Sequence, residues 1–366
     1  MCFKCGTGVM IKNMNLLDLN YEQLKELVVK KGLPVYRADQ ITDMLLSYKD
    51  WDEASNLPKN ISDSFKEYCT LPLTIIKEVE GEDGTIKFLY KLVDGNMIEG
   101  VYLPNNYGNT ICVSTQVGCK MHCSFCASGK DGFLRDLTSG EILSQVLAVN
   151  KKMGGTAKQR AISNIVLMGS GEPLDNYDNV ISFLKNISSK RGLGISLRNV
   201  TVSTCGLVKQ INRLAKEGLN VTLTISLHAT DDEKRQKIMP VAKSNKIADI
   251  INAADNYYKA TNRRVSYEYA LTKDNSDNTS IAKLIDLLKD KNVHVNLIRL
   301  NEIDGQEVMG ISEKRSLEIL EKLTSSKIQA TLRRSLGSDI EGACGQLKNH
   351  FVTANMTLNR LMKLMH

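Results

Sequence analysis

The sequence predicts an α/β fold: a partial, open βα barrel of about six strands, preceded by a small helical unit and a linking β hairpin. Three observations predict it. Beyond residue 126, strand-like apolar runs alternate with helical periodicity through short connections, the pattern of a parallel sheet with crossover helices. Short polar residues come directly after those runs, at the strand ends where parallel barrels carry their sites. Upstream, the apolar period changes from helical to alternating near Ile75, which separates the helical unit from the hairpin.

At 366 residues the chain can bury a large core, and a main unit with a smaller attachment is the natural expectation. A formal net charge of +7 permits a polyanionic partner without demanding one. No stretch approaches the roughly 18 to 20 continuous apolar residues of a membrane span. The first residues carry no apolar core followed by a small-residue cleavage site. The expected location is the cytoplasm, where nine cysteines argue for metal or redox chemistry rather than a disulfide framework.

Taken in order, Cys2 and Cys5 form an isolated C-x2-C in an extension over 1–13, half of a zinc site or two free thiols. Residues 14–72 read as the helical unit. It has a helix over 22–29, a second near residue 36 carrying Ile41, Met44 and Leu45, a turn at Asn56-Leu-Pro-Lys59 and a short helix over 61–68. Residues 73–110 form the hairpin linker, with strands over 85–92 and 97–103 around Asp94-Gly95. Glu99 lies inside the second of these strands.

The barrel is expected over 111–347, entered by a strand over 110–116. Its further strands fall at 164–168, 197–202, 221–227, 265–271, 293–298 and 328–332. Helices are predicted at 137–152, 208–217, 247–258, 281–288 and 314–323, with another starting at Val180. Thr138, with Glu141 three residues later, reads as the cap of the first. Residues 348–366 form a tail without an assignable pattern.

The chain is organised around Cys119-Lys-Met-His-Cys-Ser-Phe-Cys126, a C-x3-C-x2-C stretch whose three sulfurs can converge on one metal centre. A [4Fe-4S] cube held by three cysteines keeps one iron open for a small chelate, to which it can pass an electron. Zinc with His122 as fourth ligand, and unligated thiols, are the alternatives. His122 adjoins Cys123, however, and the chain has little room to bring both onto one ion.

Gly169-Ser-Gly-Glu-Pro173 lacks both the G-x-G-x-x-G spacing and a Walker-type lysine. Its small residues, Gly171 among them, allow close backbone approach, and Glu172 suits an amine. Ser203, Ser226, His228 and Asn301 supply polar groups at other strand ends; each alone reads equally well as a satisfied polar residue. Neither Cys112 nor Cys344 has the spacing of a fourth iron ligand. Cys344 lies in a glycine-rich loop suited to close approach, and with the strand-borne Cys112 it can form a covalent relay. Cys69 and Cys205 read as small buried hydrophobes. Arg263-Arg264, Arg333-Arg334 and Lys151-Lys152 are candidate phosphate contacts or plain solvated surface.

The cysteine motif resembles that of the radical S-adenosylmethionine superfamily, and residues 14–347 resemble its RNA adenine methyltransferase branch. The matching words are Tyr36-Arg-Ala-Asp-Gln-Ile41, Cys112-Val-Ser-Thr-Gln-Val-Gly-Cys119, Gly171-Glu-Pro-Leu174, Val202-Ser-Thr204, Ser226-Leu-His-Ala229 and Ala343-Cys-Gly-Gln-Leu347. The resemblance implies Cys119, Cys123 and Cys126 as ligands of a [4Fe-4S] cluster. It implies S-adenosyl-L-methionine held by Gly171, Glu172, Ser203, Ser226, Leu227, His228 and Asn301. Cys344 is implied to be methylated first, Cys112 to help resolve a covalent protein–RNA adduct by proton removal and disulfide formation, and Glu99 to accept a proton.

The implied reaction is methylation of C2 of an adenosine in 23S ribosomal RNA near the peptidyl-transferase centre, with adenosine 37 of transfer RNA a further target of some such enzymes. A cytoplasmic monomer served by a low-potential electron donor such as flavodoxin or ferredoxin is expected. Related enzymes methylate C8 of the same adenosine and confer antibiotic resistance. Gly171-Glu-Pro-Leu174 and Ser226-Leu-His-Ala229 resemble the C2 group, whereas Leu297-Ile-Arg-Leu-Asn301 leans toward the C8 group. Ser170 stands where the family usually carries a bulky Met or Leu. The reading from a different class is a noncatalytic metal-containing RNA-binding protein.

Overall fold

A computed structural model describes residues 14–130, 132–300, 309–334 and 336–347. Asn301, the Cys2/Cys5 pair and the tail over 348–366 lie outside the described residues.

Polar caps and apolar spacing set the first helices. Helix α1 (Tyr21–Lys30) opens on a reciprocal capping box between Asn20 and Gln23. It is followed by α2 (Arg37–Leu46) and α3 (Lys59–Phe65). The last begins two residues earlier than its spacing predicted, directly after Pro58, a residue that suits a helix start but not its interior. Leu24, Val28, Ile41, Met44, Ile61 and Phe65 bury their side chains in a core continuous with that of the sheet.

Ten strands form one mixed sheet. Three antiparallel strands come first: β1 (Leu73–Glu80), β2 (Ile86–Leu92) and β3 (Met97–Leu103). The Asp94-Gly95 turn joins the last two, with the Asp94 carboxylate accepting from the Asn96 N–H at 3.0 Å. A parallel run then extends through β4 (Thr110–Cys112), β7 (Asn164–Leu167), β8 (Val200–Thr204), β9 (Thr222–Ser226), β10 (Val265–Leu271), β11 (Val293–Arg299) and β12 (Gln329–Arg333). Helices α4 (Ser139–Lys152), α5 (Tyr177–Ser188), α6 (Val208–Leu214), α7 (Asp232–Ile238), α8 (Ile247–Thr261), α9 (Asn278–Leu288) and α10 (Glu313–Ser325) fill the connections. The edges β1 and β12 do not pair among the described residues, so the barrel is partial and open.

Two details differ from the sequence pattern. The strand expected over 110–116 divides: β4 joins the parallel run as a seventh member, and β5 (Gln116–Gly118) pairs with β6 (Phe133–Asp136) in a separate two-stranded sheet. The division arises from Val113, Thr115 and Gln116, whose N–H groups bond to carbonyls at the end of β7 and just beyond it. The strand expected over 197–202 starts later, because 197–199 wind into a single 3-10 turn capped by Ser196.

Candidate active site

The cysteine loop begins just after β5 and is anchored at three points. The Cys119 N–H donates to the Gly132 carbonyl at 3.1 Å, the Ser124 N–H to the Ile238 carbonyl at 2.9 Å, and the Ala127 N–H to the Gly345 carbonyl at 2.8 Å. His122 takes a left-handed conformation, φ 51°, and its Nδ1 lies 3.1 Å from the Gly129 carbonyl oxygen. That ring holds the turn and does not line the cavity into which the three thiols open, which removes it as the fourth ligand of a zinc site.

Cys119, Cys123 and Cys126 line one cavity of about 1010 Å³ together with Gly171, Glu172, Ser203, Ser226, His228 and Cys344. The three thiols do not converge on a single-ion position among the described residues. A cube takes one thiolate at each corner, so three separate thiols lining one cavity fit it. Burial pushes the Cys119 thiol up to about 12 and the Cys123 thiol well up, with neighbouring thiols adding to both. Thiols so raised are protonated at neutral pH, and ligation must displace their protons.

Opposite the cysteines stand the ends of β7, β8 and β9. Gly171 has φ +107°, and a Cβ there would meet Gln116 Cβ at 2.6 Å, so the chain passes this point only as glycine. The Glu172 N–H donates to Gln116 Oε1 at 2.9 Å. Its buried carboxylate accepts from the Leu174 N–H at 3.0 Å and the Cys205 N–H at 2.7 Å. Burial raises this carboxyl against those bonds. His228 also has positive φ, and its Nδ1 accepts from the Ala270 N–H at 3.0 Å. Burial, then the charge of Arg235, hold the His228 ring neutral, its pKa lowered to about 3. Phe125 of the cysteine loop meets that ring edge to face at 4.8 Å.

A second cavity of about 680 Å³ adjoins the first and is lined by Cys112, Cys344, Arg333 and Arg334. Cys344 and Arg333 line both cavities. Cys344 is ringed by protein yet open to the cavity space; crowding raises its thiol while Arg333 opposes the rise. Cys112 is buried and pushed up to about 12 by that burial, with the charge of Cys344 adding. Both are free thiols, so the disulfide expected between them is not formed in this structure, although one cavity holds both. Glu99 is buried on β3 with Lys87 Nζ 3.7 Å away, and is not among the residues lining either cavity. Leu227 is buried and not among the residues lining either cavity, and its N–H donates to the Glu268 carbonyl at 3.0 Å.

Two buried charged residues at the site were not evident from the sequence. Arg235, on α7, is fully buried and binds the carbonyls of Cys205, Ser226 and Leu227. Glu268, 4% exposed on β10, accepts from Arg333 Nη1 and Asn296 Nδ2, both at 3.1 Å, while its Oε2 has no partner among the described residues. Arg333 is thereby tied to Glu268 while its side chain, 36% exposed, lines both cavities. The acid-first run at Asp231-Asp-Glu, a helix-start signal, was the available pointer to α7.

Comparison with known proteins agrees with this geometry. The Radical SAM superfamily profile matches residues 113–285. The probable dual-specificity RNA methyltransferase RlmN of Clostridium acetobutylicum is 45% identical over 343 residues, 92% of this chain and 98% of its own length. The Clostridium tetani protein of the same description is 44% identical over 94% of this chain and 99% of its own. A crystal structure of a radical SAM methyltransferase from Sphaerobacter thermophilus superposes with a TM-score of 0.87 at 38% identity, covering 92% of this chain and all of that one. The chain belongs to the radical SAM superfamily and, within it, to the RlmN family of dual-specificity RNA methyltransferases.

Proposed function

We propose that this radical SAM RNA methyltransferase adds a methyl group to C2 of an adenosine in 23S ribosomal RNA, and of adenosine 37 in transfer RNA, through a methylated Cys344. The observation that carries the proposal is the position of Cys344, which lines both the cavity of Cys119, Cys123 and Cys126 and the cavity of Cys112. A sulfur so placed can receive a methyl on one side and deliver it on the other.

When bound, the [4Fe-4S] cluster and S-adenosylmethionine supply one-electron cleavage chemistry that an electron-poor ring carbon such as adenine C2 requires. Cys119, Cys123 and Cys126 would hold the cluster; Gly171, Glu172, Ser203, Ser226, Leu227 and His228, with Asn301, would hold the cofactor. The neutral His228 ring adds no positive charge beside it, and burial raises the Glu172 carboxyl above the usual carboxylate range. Cys344 Sγ takes the first methyl and releases its own proton. Once that carbon is joined to the base, the hydrogen of C2 leaves as a proton taken up by Cys112 or Glu99, and Cys112, its own thiol proton released, attacks Cys344 Sγ as thiolate. The sulfur–sulfur bond forms as the sulfur–carbon bond breaks, and the carbon left on adenine takes a proton to become the methyl. An external thiol reductant then restores both cysteines. Glu99 would accept a proton in this cycle.

Arg299 favours one second reading. It lines the larger cavity at the end of β11, with Glu313 3.7 Å away, and belongs to the stretch resembling the C8 enzymes. Anaerobic reconstitution with iron and sulfide, then incubation with S-adenosylmethionine, a strong reductant and unmodified ribosomal RNA, decides between them. 2-Methyladenosine is expected; 8-methyladenosine would overturn the C2 assignment, and unmodified RNA beside a cleaved cofactor would overturn the substrate.

A further inference from the structure

Arg235 is 0% exposed, and no acidic side chain among the described residues forms an ion pair with it. Its guanidinium donates only to neutral backbone carbonyls. Nε reaches Leu227 O at 3.0 Å, Nη2 reaches Ser226 O at 3.0 Å and Cys205 O at 2.6 Å, and Nη1 lies 3.4 Å from Asn245 O. Carbonyls satisfy the hydrogen bonds but do not cancel the charge, and an ion buried without a counter-ion is costly. Room for it depends on Gly206, φ +96°, where a Cβ would meet Arg235 Nη2 at 3.3 Å and Ile250 Cδ1 at 2.7 Å. The fold therefore makes space for a cation and leaves it unpaired.

The position of that cation explains what offsets it. One turn further along the same helix, the Ile238 carbonyl receives the Ser124 N–H at 2.9 Å, directly beside Cys123. Cys205 and Ser226, whose carbonyls the guanidinium holds, line the same cavity as Cys119, Cys123 and Cys126, so the cation stands directly behind that cavity's wall. The Asp232 carboxylate on the same helix lies within its field but is held by the Ile247 N–H at 2.9 Å and makes no ion pair with it. The further anion on the cavity side of Arg235 is the thiolate set of the cysteine loop in its ligated state.

We propose that Arg235 is a positioning residue that braces the ends of β8 and β9 and whose unpaired charge stabilises the reduced state of the iron-sulfur centre on Cys119, Cys123 and Cys126. This rests on the cluster assignment of the proposed function. Three thiolates make that centre anionic, and adding an electron increases the negative charge. Net charge and buried dipoles near a cluster set its potential, and a buried cation on the protein side favours the reduced form.

The test is a potentiometric titration, followed by electron paramagnetic resonance, of the reconstituted full chain and its Arg235→Lys, Arg235→Gln and Asn245→Asp variants, with iron and sulfide counted in each. Arg235→Gln is expected to load iron and shift the midpoint to more negative potential, and Arg235→Lys to restore most of the shift. Asn245→Asp keeps the guanidinium and adds a carboxylate to the residue whose backbone carbonyl lies 3.4 Å from Nη1. It is expected to move the midpoint the same way, and it decides the matter where Arg235→Gln fails to fold. Equal midpoints in loaded wild type, Arg235→Gln and Asn245→Asp would overturn the proposal alone. A wild-type chain that binds no iron and sulfide would overturn the cluster assignment and the proposal with it.

Discussion

Cys344 and Cys112 share a cavity but carry different burdens, and their replacement separates them. Cys344→Ala should abolish methyl transfer while iron content stays at the wild-type level; loss of all iron would make Cys344 a ligand instead. Cys112→Ala should still attach to RNA but fail to release it. The measurement is a denaturing gel for a covalent adduct, and free turnover would remove Cys112 from the cycle. His228 supplies a pH signature. Its pKa falls from 6.5 to about 3 on folding. Below 6.5 the unfolded chain therefore binds a proton that the folded one refuses. The ring's contribution is whole above pH 6.5 and is lost as pH falls toward 3, at roughly 1.4 kcal/mol per pH unit. His228→Asn should flatten this part of the stability profile in urea titrations between pH 4 and 7. The cysteines and Gly171-Glu-Pro were legible because their chemistry is local in sequence. Arg235 and the Glu268–Arg333 pair were not, since single charged residues acquire meaning only when distant strands bury them.

At the scale of elements, α4 shows how one carboxylate does two tasks. Glu141 accepts from the Thr138 N–H at 2.9 Å to complete the capping box, and also binds Arg135 Nη1 and Nη2, both at 2.8 Å. Arg135 Nε in turn reaches Asp94 at 2.7 Å in the β2–β3 turn. Thr138→Ala removes the side-chain half of the cap and should cost about 1 kcal/mol in urea unfolding. A near-zero effect would mean that Arg135 alone fixes this corner. The cap was readable from Thr138 and Glu141, and β10 matched its predicted limits because both faces of a central parallel strand demand an apolar run. The edge strand β1 gave no such signal: its residues are mostly solvent-facing, and a bulge between Ile75 and Lys77 breaks the alternation. Helix α7 was hidden in the same way, being seven residues long with Arg235 inside rather than an apolar stripe.

At the scale of the whole molecule, the barrel's open side is crossed by side chain–backbone ties rather than by a strand. The Gly337 N–H donates to Asp83 Oδ2 at 2.8 Å, and the Glu82 N–H to Asp339 Oδ2 at 3.0 Å. These bonds join the β1–β2 turn to the segment that carries Cys344. Asp339→Ala should leave the circular dichroism spectrum unchanged but speed protease cleavage within 336–347; unchanged cleavage would mean that the segment is held from the cysteine loop alone. The repeated βα rhythm made the barrel legible, whereas its mode of closure was not, since Asp83 and Asp339 differ in no local way from any surface aspartate.

The bonds between the cysteine loop and the Cys344 segment also set a timetable. Ser128 Oγ donates to the Leu347 carbonyl at 3.0 Å across 219 residues of chain. At roughly 5–20 residues per second, a ribosome needs about 10 to 40 seconds to make that intervening stretch. Throughout that interval the three thiols of the nascent chain lack the backbone partners that complete their loop. Iron arriving early meets an unfinished cradle, so the loop is complete only on a chain whose residues up to Leu347 have folded back onto it.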